Sequence, residues 1–239
     1  MNGFLRSGAR ALVDVLSPPA CVLCGLAATD PVCADCWEVC PTLDIACPQC
    51  ALPLPHHHAR CGACQGAPPV WRFGAAAQRY AFPVDAVLQR FKYAGDRTLG
   101  PALSALLQPL AALSWLSDAE LVPLPLHRRR QRQRGFNQAQ VLAQSLAVDS
   151  GRPLRERWLS RCVDTPAQVG LTAAARRRNL AGAFVATPEV AGRHIVLVDD
   201  VMTTGATLTA ATQALLTHGA RLVDCVVLAR AVSAAQAGA

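Results

Sequence analysis

Lysine is almost missing from this 239-residue chain. Lys92 is the only one, so the net charge of +7 is carried almost wholly by arginine. GC-rich codons alone favour such a bias. A functional alternative is affinity for phosphates, which the planar guanidinium meets with paired hydrogen bonds. If the bias has converted other lysines, Lys92 is retained either by chance or because its position needs an ammonium. Aromatic residues are also scarce, at 5%. Trp37, Trp71, Phe73, Tyr80 and Phe136 could stack on bases, but any nucleic-acid contact would rest chiefly on phosphates. Long apolar runs are missing too. The stretch from Leu99 is interrupted by Pro101, Gln108 and Pro109 and reads as an amphipathic or buried helix, not a membrane span. Residues 1–19 place Phe4, Leu5, Leu12, Val15 and Leu16 on one helical face but are broken by Arg6, Arg10 and Asp14. They lack the continuous apolar core of a signal peptide, and the expected location is the cytoplasm.

Cysteine, by contrast, is abundant and clustered. Nine of eleven fall before residue 65. Eight form four Cys-x-x-Cys pairs: Cys21/Cys24, Cys33/Cys36, Cys47/Cys50 and Cys61/Cys64. Two intervening residues let both thiolates of a tight turn reach one tetrahedral ion. The simplest partition is sequential, the first four on one structural zinc and the last four on a second, with interleaving as the alternative. Gly25 and Gly62 follow cysteines and suit turn positions with positive φ. The segment is too short and too rich in Pro, Cys and Ala to fold on an apolar core, so bound zinc would supply much of its folding free energy. Cys40 is left over as a buried or free thiol, and the three histidines at 56–58 either replace a zinc ligand or decorate a loop. Four thiolates leave no open coordination position, which excludes zinc catalysis. Composition places a domain boundary at 66/67, giving a ribbon domain over 1–66 and a second domain over 67–239.

From residue 67 strands alternate with helices. Strands are expected at 75–82, 121–125, 195–198 ("IVLV") and through "LVDCVVLA", where Cys225 is a core residue. Helices are expected at 83–93, 98–116, from Phe136 to a stop at Gly151, and from Thr207 to Gly219. The pattern implies an α/β fold, a parallel sheet with helices on both faces, whose ligands sit at the carboxyl ends of the strands.

That rule draws attention to "HIVLVDDVMTTGATL" (194–208). Two carboxylates follow a buried strand, and a Thr/Gly turn then leads into a helix. Such a turn offers backbone N–H groups and hydroxyls to an anion, Gly205 permits close approach, and Thr203, Thr204 and Thr207 add donors. Asp199 and Asp200 accept only, which suits a polyol beside that anion. A helix cap would need one acid, not two. Acceptors for hydroxyls beside a phosphate cradle describe a sugar phosphate.

Residues 195–207 resemble the signature of type I phosphoribosyltransferases. The resemblance implies that Asp199 and Asp200 hold the ribose hydroxyls of phosphoribosyl pyrophosphate, that Thr203, Thr204, Gly205, Ala206 and Thr207 hold its 5′-phosphate, and that Mg²⁺ accompanies the ligand. "VPLPLHRRR" resembles the pyrophosphate loop of that superfamily, which brings in Pro125, Leu126 and His127. "RCVDTPAQVGLTAAARRRNLAGAF" resembles its closing loop, with Arg161 and Arg176 as candidate catalytic arginines. Lys92, as the lone lysine whose position would need an ammonium, is a separate candidate ligand contact. Taken in order, the cysteine ribbon, "FKYAGD", "VPLPLHRRRQRQRGFNQA", "TPAQVGLTAAARRRNLAGAF" and "IVLVDDVMTTGAT" resemble the ComF family, competence-associated phosphoribosyltransferase-like proteins that include GntX-type members. "RGFNQ" (134–138) is the most distinctive element.

The resemblance implies either a Mg²⁺-dependent transferase or a competence factor that binds single-stranded DNA and uses phosphoribosyl pyrophosphate as ligand or regulator, in contact with the DNA-uptake machinery. Purine-salvage relatives carry an Asp three positions after the second ribose acid. Thr203 stands there, which argues against that acceptor class. No helix-turn-helix is evident, which argues against a transcription regulator. Three fates are open to the arginines of 128–134 and 176–178: a solvated face, capture of pyrophosphate, or contact with a nucleic-acid backbone.

Overall fold

The computed structural model describes residues 20–56, 60–163 and 182–232. It divides into two compact units, Met1–Cys40 and Pro41–Ala239. The composition change at 66/67 marks where the cysteine pairs end; the division into compact units falls earlier, between the first two pairs and the last two.

In the smaller unit Cys21 to Cys24 form a tight turn closed by the Gly25 N–H on the Cys21 carbonyl (2.8 Å), with Gly25 at φ 76°. Helix α1 (Ala34–Glu38) starts at Cys33, whose N–H points at Cys21 Sγ (3.4 Å). In the larger unit the equivalent turn runs from Cys47 to Cys50, and the residue after it, Ala51, takes φ 55° and donates to the Cys47 carbonyl. Gly62, expected to need positive φ, instead begins the short helix α2 (Gly62–Gly66). The left-handed position belongs to the first cysteine pair of each cluster.

The larger unit is built on a four-stranded sheet. Its strands are β1 (Gly74–Arg79), β2 (Glu120–Pro123), β5 (His194–Met202) and β6 (Leu222–Arg230). They lie in the order β1-β6-β5-β2, and all pairs are parallel. A separate antiparallel pair is formed by β3 (Leu159–Arg161) and β4 (Phe184–Ala186). Ile195, Leu197, Val223, Cys225 and Val227 are buried on one face with Leu208, Ala211 and Leu215 of a helix spanning Ala206–Thr217. Val196, Val198, Val226 and Leu228, one residue out of phase, are equally buried. Both faces are therefore covered, as aliphatic strands of a parallel sheet require.

The other helices are α3 (Val84–Gln89), α4 (Gly100–Leu107), α5 (Arg128–Arg134) and α6 (Gln138–Ser150); Ala206–Thr217 is α7. Asn137 caps α6 by accepting from the Ala139 N–H, and Gly151 ends it in the left-handed conformation. The helix expected over 98–116 is broken. A 3-10 turn (Arg97–Leu99) precedes α4, and Pro109 stops it, since proline donates no N–H and clashes with the preceding turn. The expected helix after Pro83 continues as a π-helical turn, Arg90–Ala94, capped by Gly95 at φ 66°.

Candidate functional site

The cleft forms where β2 ends before β5 does. β2 pairs with β5 only as far as Pro123 opposite Val198. β5 runs on to Met202 and stays paired with β6 on its other side. Asp199 and Asp200 thus belong to β5 but have lost one neighbouring strand. After Pro123 the chain turns away, held by the Leu124 N–H on the Val198 carbonyl (2.8 Å). The space left is a cleft of about 200 Å³ lined by both acids, Thr203, Thr207, Pro125 and Leu126, among others.

Beyond Met202 the chain enters α7 through Thr203, Thr204 and Gly205. Gly205 is left-handed (φ 74°) at the N-cap, and an added Cβ there would lie 2.9 Å from Trp71 Cη2. Asp199, Thr203, Gly205, Ala206 and Thr207 line a small cup at this helix start. The unpaired N–H groups of a first helical turn and the local dipole favour an anion at such a position.

The opposite wall is cationic. Lys92 Nζ lies 2.9 Å from Asp200 Oδ1, with only 16% of its side chain exposed. The π-helical turn presents it there. Burial works against its charge, but Asp200 and then Asp199 outweigh that and hold its pKa above the ordinary lysine value. Arg130 and Arg134, one turn apart on α5, also line the cleft, as does Arg161 at the end of β3. Arg161 sits over the Phe184 ring at 5.5 Å. Between the acids the charge is strained: burial, then Asp200, raise the Asp199 carboxyl to about 7, against the pull of Lys92.

"RGFNQ" supplies two residues whose roles emerge only in the fold. Asn137 donates to the Leu124 carbonyl (3.1 Å) and so holds the turn that follows β2. Gln138 is 1% exposed and lines the cleft. Its Oε1 accepts from Arg134 (3.1 Å), while its Nε2 has no hydrogen-bond partner among the described residues. A buried amide donor without a partner is costly, and this one belongs to a residue of the cleft wall.

Of the expected site residues, Asp199, Asp200, Arg161, Lys92, Pro125, Leu126, Thr203 and Thr207 line the main cleft, and Gly205 and Ala206 line the adjoining cup. Thr204 Oγ1 accepts from the Ala206 N–H (3.4 Å) and so shapes the turn. His127 caps α5, its Nδ1 accepting from the Arg129 N–H (3.3 Å). Arg176 lies outside the described residues. Cys225 is fully buried and Cys162 exposed. Beside the cleft a second cavity of about 330 Å³ shares Pro125, Leu126, Asn137 and Arg161 with it and adds Arg128, Arg157 and Glu156.

The cysteines cluster sequentially. The Sγ atoms of Cys21, Cys24, Cys33 and Cys36 lie within 4.8 Å of one another, as do those of Cys47, Cys50, Cys61 and Cys64. Cys24 and Cys33 Sγ are 3.8 Å apart, and Cys50 and Cys61 Sγ 3.5 Å. Tetrahedral Zn–S bonds of about 2.3 Å give S···S edges of about 3.8 Å, so both clusters fit zinc. Burial opposes ionisation of Cys47, but backbone N–H groups of Cys61, Cys50 and Gln49 outweigh it and bring the thiol down to about 7.

A parallel sheet with a Thr/Gly loop after paired acids, joined to two four-cysteine clusters, defines a type I phosphoribosyltransferase fold with a double zinc ribbon. The family described as Phosphoribosyl transferase domain matches residues 122–237, and that described as Double zinc ribbon domain matches 12–65. The chain is 38% identical to the DNA utilization protein YhgH of Escherichia coli O6:H1, covering 83% of this chain and 90% of that protein. It is 34% identical to Competence protein F of Haemophilus influenzae, covering 77% and 84%, and 31% identical to Competence protein ComFC of Bacillus subtilis, covering 72% of each. The chain belongs to the ComF family.

Proposed function

We propose that this protein binds phosphoribosyl pyrophosphate with Mg²⁺ in the cleft past β2 and acts in the handling of DNA during natural transformation. The observation that carries the ligand is the convergence of two acids, a Thr/Gly helix start and a cationic wall on one 200 Å³ cleft. Asp199 and Asp200 would accept from the ribose hydroxyls, and the loop Thr203–Thr207 would donate to the 5′-phosphate. Arg130, Arg134 and Arg161 would face the pyrophosphate. Gln138 Nε2 adds one donor for a ligand oxygen. The carboxylate oxygens are hard donors suited to Mg²⁺, which when bound would neutralise charge on the pyrophosphate. Arginines fixed around a leaving pyrophosphate stabilise the charge that develops as the C1–O bond breaks. Titration with phosphoribosyl pyrophosphate across a nucleobase panel, following pyrophosphate release, tests for transfer. Release dependent on one acceptor makes the protein a transferase; binding without release leaves it a binding protein.

The second reading, a single-stranded-DNA-binding factor that uses phosphoribosyl pyrophosphate as a regulator, is favoured by the cavity that continues the cleft past Arg128 and Arg157. It also agrees with the names of the relatives, a competence protein and a DNA utilization protein. With few aromatics available, such binding would rest on phosphates. Affinity for an oligonucleotide should then fall steeply, by about tenfold or more between 50 and 200 mM salt. An affinity indifferent to salt would contradict this reading.

A further inference from the structure

The second cysteine cluster touches the far side of the proposed phosphate loop. Trp71, 4% exposed, donates from Nε1 to the Gln49 carbonyl inside the Cys47–Cys50 turn (2.6 Å). Its ring lies against Gly205, so closely that a Cβ there would meet Cη2 at 2.9 Å. Arg230 closes β6 and is 3% exposed. Its Nε donates to the Cys50 carbonyl (2.8 Å), and its Nη1 donates to the carbonyls of Met202 (3.1 Å) and Thr203 (2.6 Å). One guanidinium therefore joins the metal turn to the start of the loop. Gly74 of β1 completes the seat: its N–H donates to Pro48 (2.9 Å), and a Cβ there would collide with the Gln49 carbonyl at 2.3 Å. Cys47, Cys61 and Cys64 pack with Leu52, and Val232, just past β6, lies against them.

These contacts have no counterpart in a ribbon that is merely appended. A structural zinc fixes the conformation of the turns that hold it. Two of this turn's carbonyls, Gln49 and Cys50, are the acceptors that orient Trp71 and Arg230. Those two side chains in turn set the ring under Gly205 and the carbonyls of Met202 and Thr203. We infer that the Cys47/Cys50/Cys61/Cys64 site is the buttress of the phosphate loop, so that metal occupancy there and binding of a sugar 5′-phosphate are coupled, with Trp71 and Arg230 as positioning residues. The ligand half of this inference rests on the reading of that loop given above; the mechanical half does not.

Two variants of the zinc-loaded full chain test it. Trp71→Phe keeps a ring beneath Gly205 but deletes the N–H on Gln49. Arg230→Gln deletes the fork joining Cys50 to Thr203. Amide hydrogen exchange over 201–207 is followed together with calorimetric titration using two half-ligands, ribose 5-phosphate and magnesium pyrophosphate. The expected result is loop exchange faster by about tenfold and ribose 5-phosphate binding weaker by about tenfold, with magnesium pyrophosphate affinity unchanged. Arg230→Lys, which keeps the charge but cannot span both carbonyls, should restore only part of the loss. Loop exchange and ribose 5-phosphate affinity equal to wild type in both variants would overturn the inference, as would equal loss of both half-ligands, which marks general damage to the fold. Should the wild-type chain bind neither half-ligand, the proposed function fails, and loop exchange alone then decides the coupling.

Discussion

The carboxyl of Asp199 is held up at about 7, first by burial and then by the charge of Asp200, while Lys92 pulls it down. Its folded pKa lies above the ordinary carboxylate value, so the stability linked to it is present below about pH 4 and lost as pH rises through about 7. Asp199→Asn keeps the acceptor for the Asp200 N–H (2.8 Å) and removes the charge. The variant should therefore melt higher than wild type at pH 8, by about 2–4 °C, while losing ligand binding; thermal unfolding at pH 5 and pH 8 checks this, and the gain should be smaller at the lower pH. Hydroxyls and cations need the ionised acid. Uptake of phosphoribosyl pyrophosphate should accordingly release a proton, and affinity should fall by up to about tenfold per pH unit below 7. Calorimetry in buffers of different ionisation enthalpy reads the proton directly. Lys92→Met should move that midpoint upward, because it removes a charge that favours ionisation.

At the scale of elements, β5 carries charge at both ends. Its first residue, His194, is buried between two carboxylates, with Nε2 2.7 Å from Asp224 and Nδ1 2.8 Å from Asp118. Arg72 grips Asp224 through two nitrogens, and Arg221 pairs with Asp118. Asp224 raises the His194 pKa, against burial and with help from Asp118; both acids are lowered. The stability from His194 is fully present below about pH 6.5 and lost as pH rises through its raised pKa, and that from the acids is lost as pH falls through theirs. His194→Ala should cost about 3 kcal/mol or more at pH 6, because it leaves Asp224 buried with less than its full set of partners; urea unfolding at pH 6 and pH 9 should show the smaller cost at the higher pH.

Elements also differ in how plainly the sequence announces them. β5, β6 and α7 are legible because fully buried strands read as aliphatic runs, and α6 because Asn137 and Gly151 punctuate it. The acids and the Thr/Gly turn are legible because their order along the chain is their order in the cleft. The helix over 128–134 is hidden beneath five arginines with no apolar stripe to show its period, so which of them line the cleft, Arg130 and Arg134, emerges only from the fold. Gln138 stands out within "RGFNQ", but its open amide is visible only once its surroundings are in place. Trp71 to Gln49 and Arg230 to Cys50 join residues far apart in sequence, through backbone carbonyls that any residue could offer; no local pattern encodes them.

At the scale of the whole molecule, the ribbon and the sheet answer to different forces. The sheet buries aliphatic side chains on both faces, whereas the cysteine clusters have little apolar surface of their own, and zinc held by their four thiolates would supply much of their order. Among the described residues no helix is long and apolar enough to cross a membrane. A strong chelator should therefore disorder the cysteine turns while the sheet persists, read as loss of protection at 47–64 with β5 and β6 still protected. Simultaneous collapse of both would show that zinc sustains the entire larger unit. The claim on which the rest depends is that paired acids and a phosphate loop at the end of β5 hold an activated pentose. Its most direct test is calorimetric titration of zinc-loaded protein with phosphoribosyl pyrophosphate in Mg²⁺. Saturable binding by the wild-type chain that is abolished in the Asp199→Asn/Asp200→Asn double variant is the expected result; no binding by the wild type, or undiminished binding by the double variant, would contradict it.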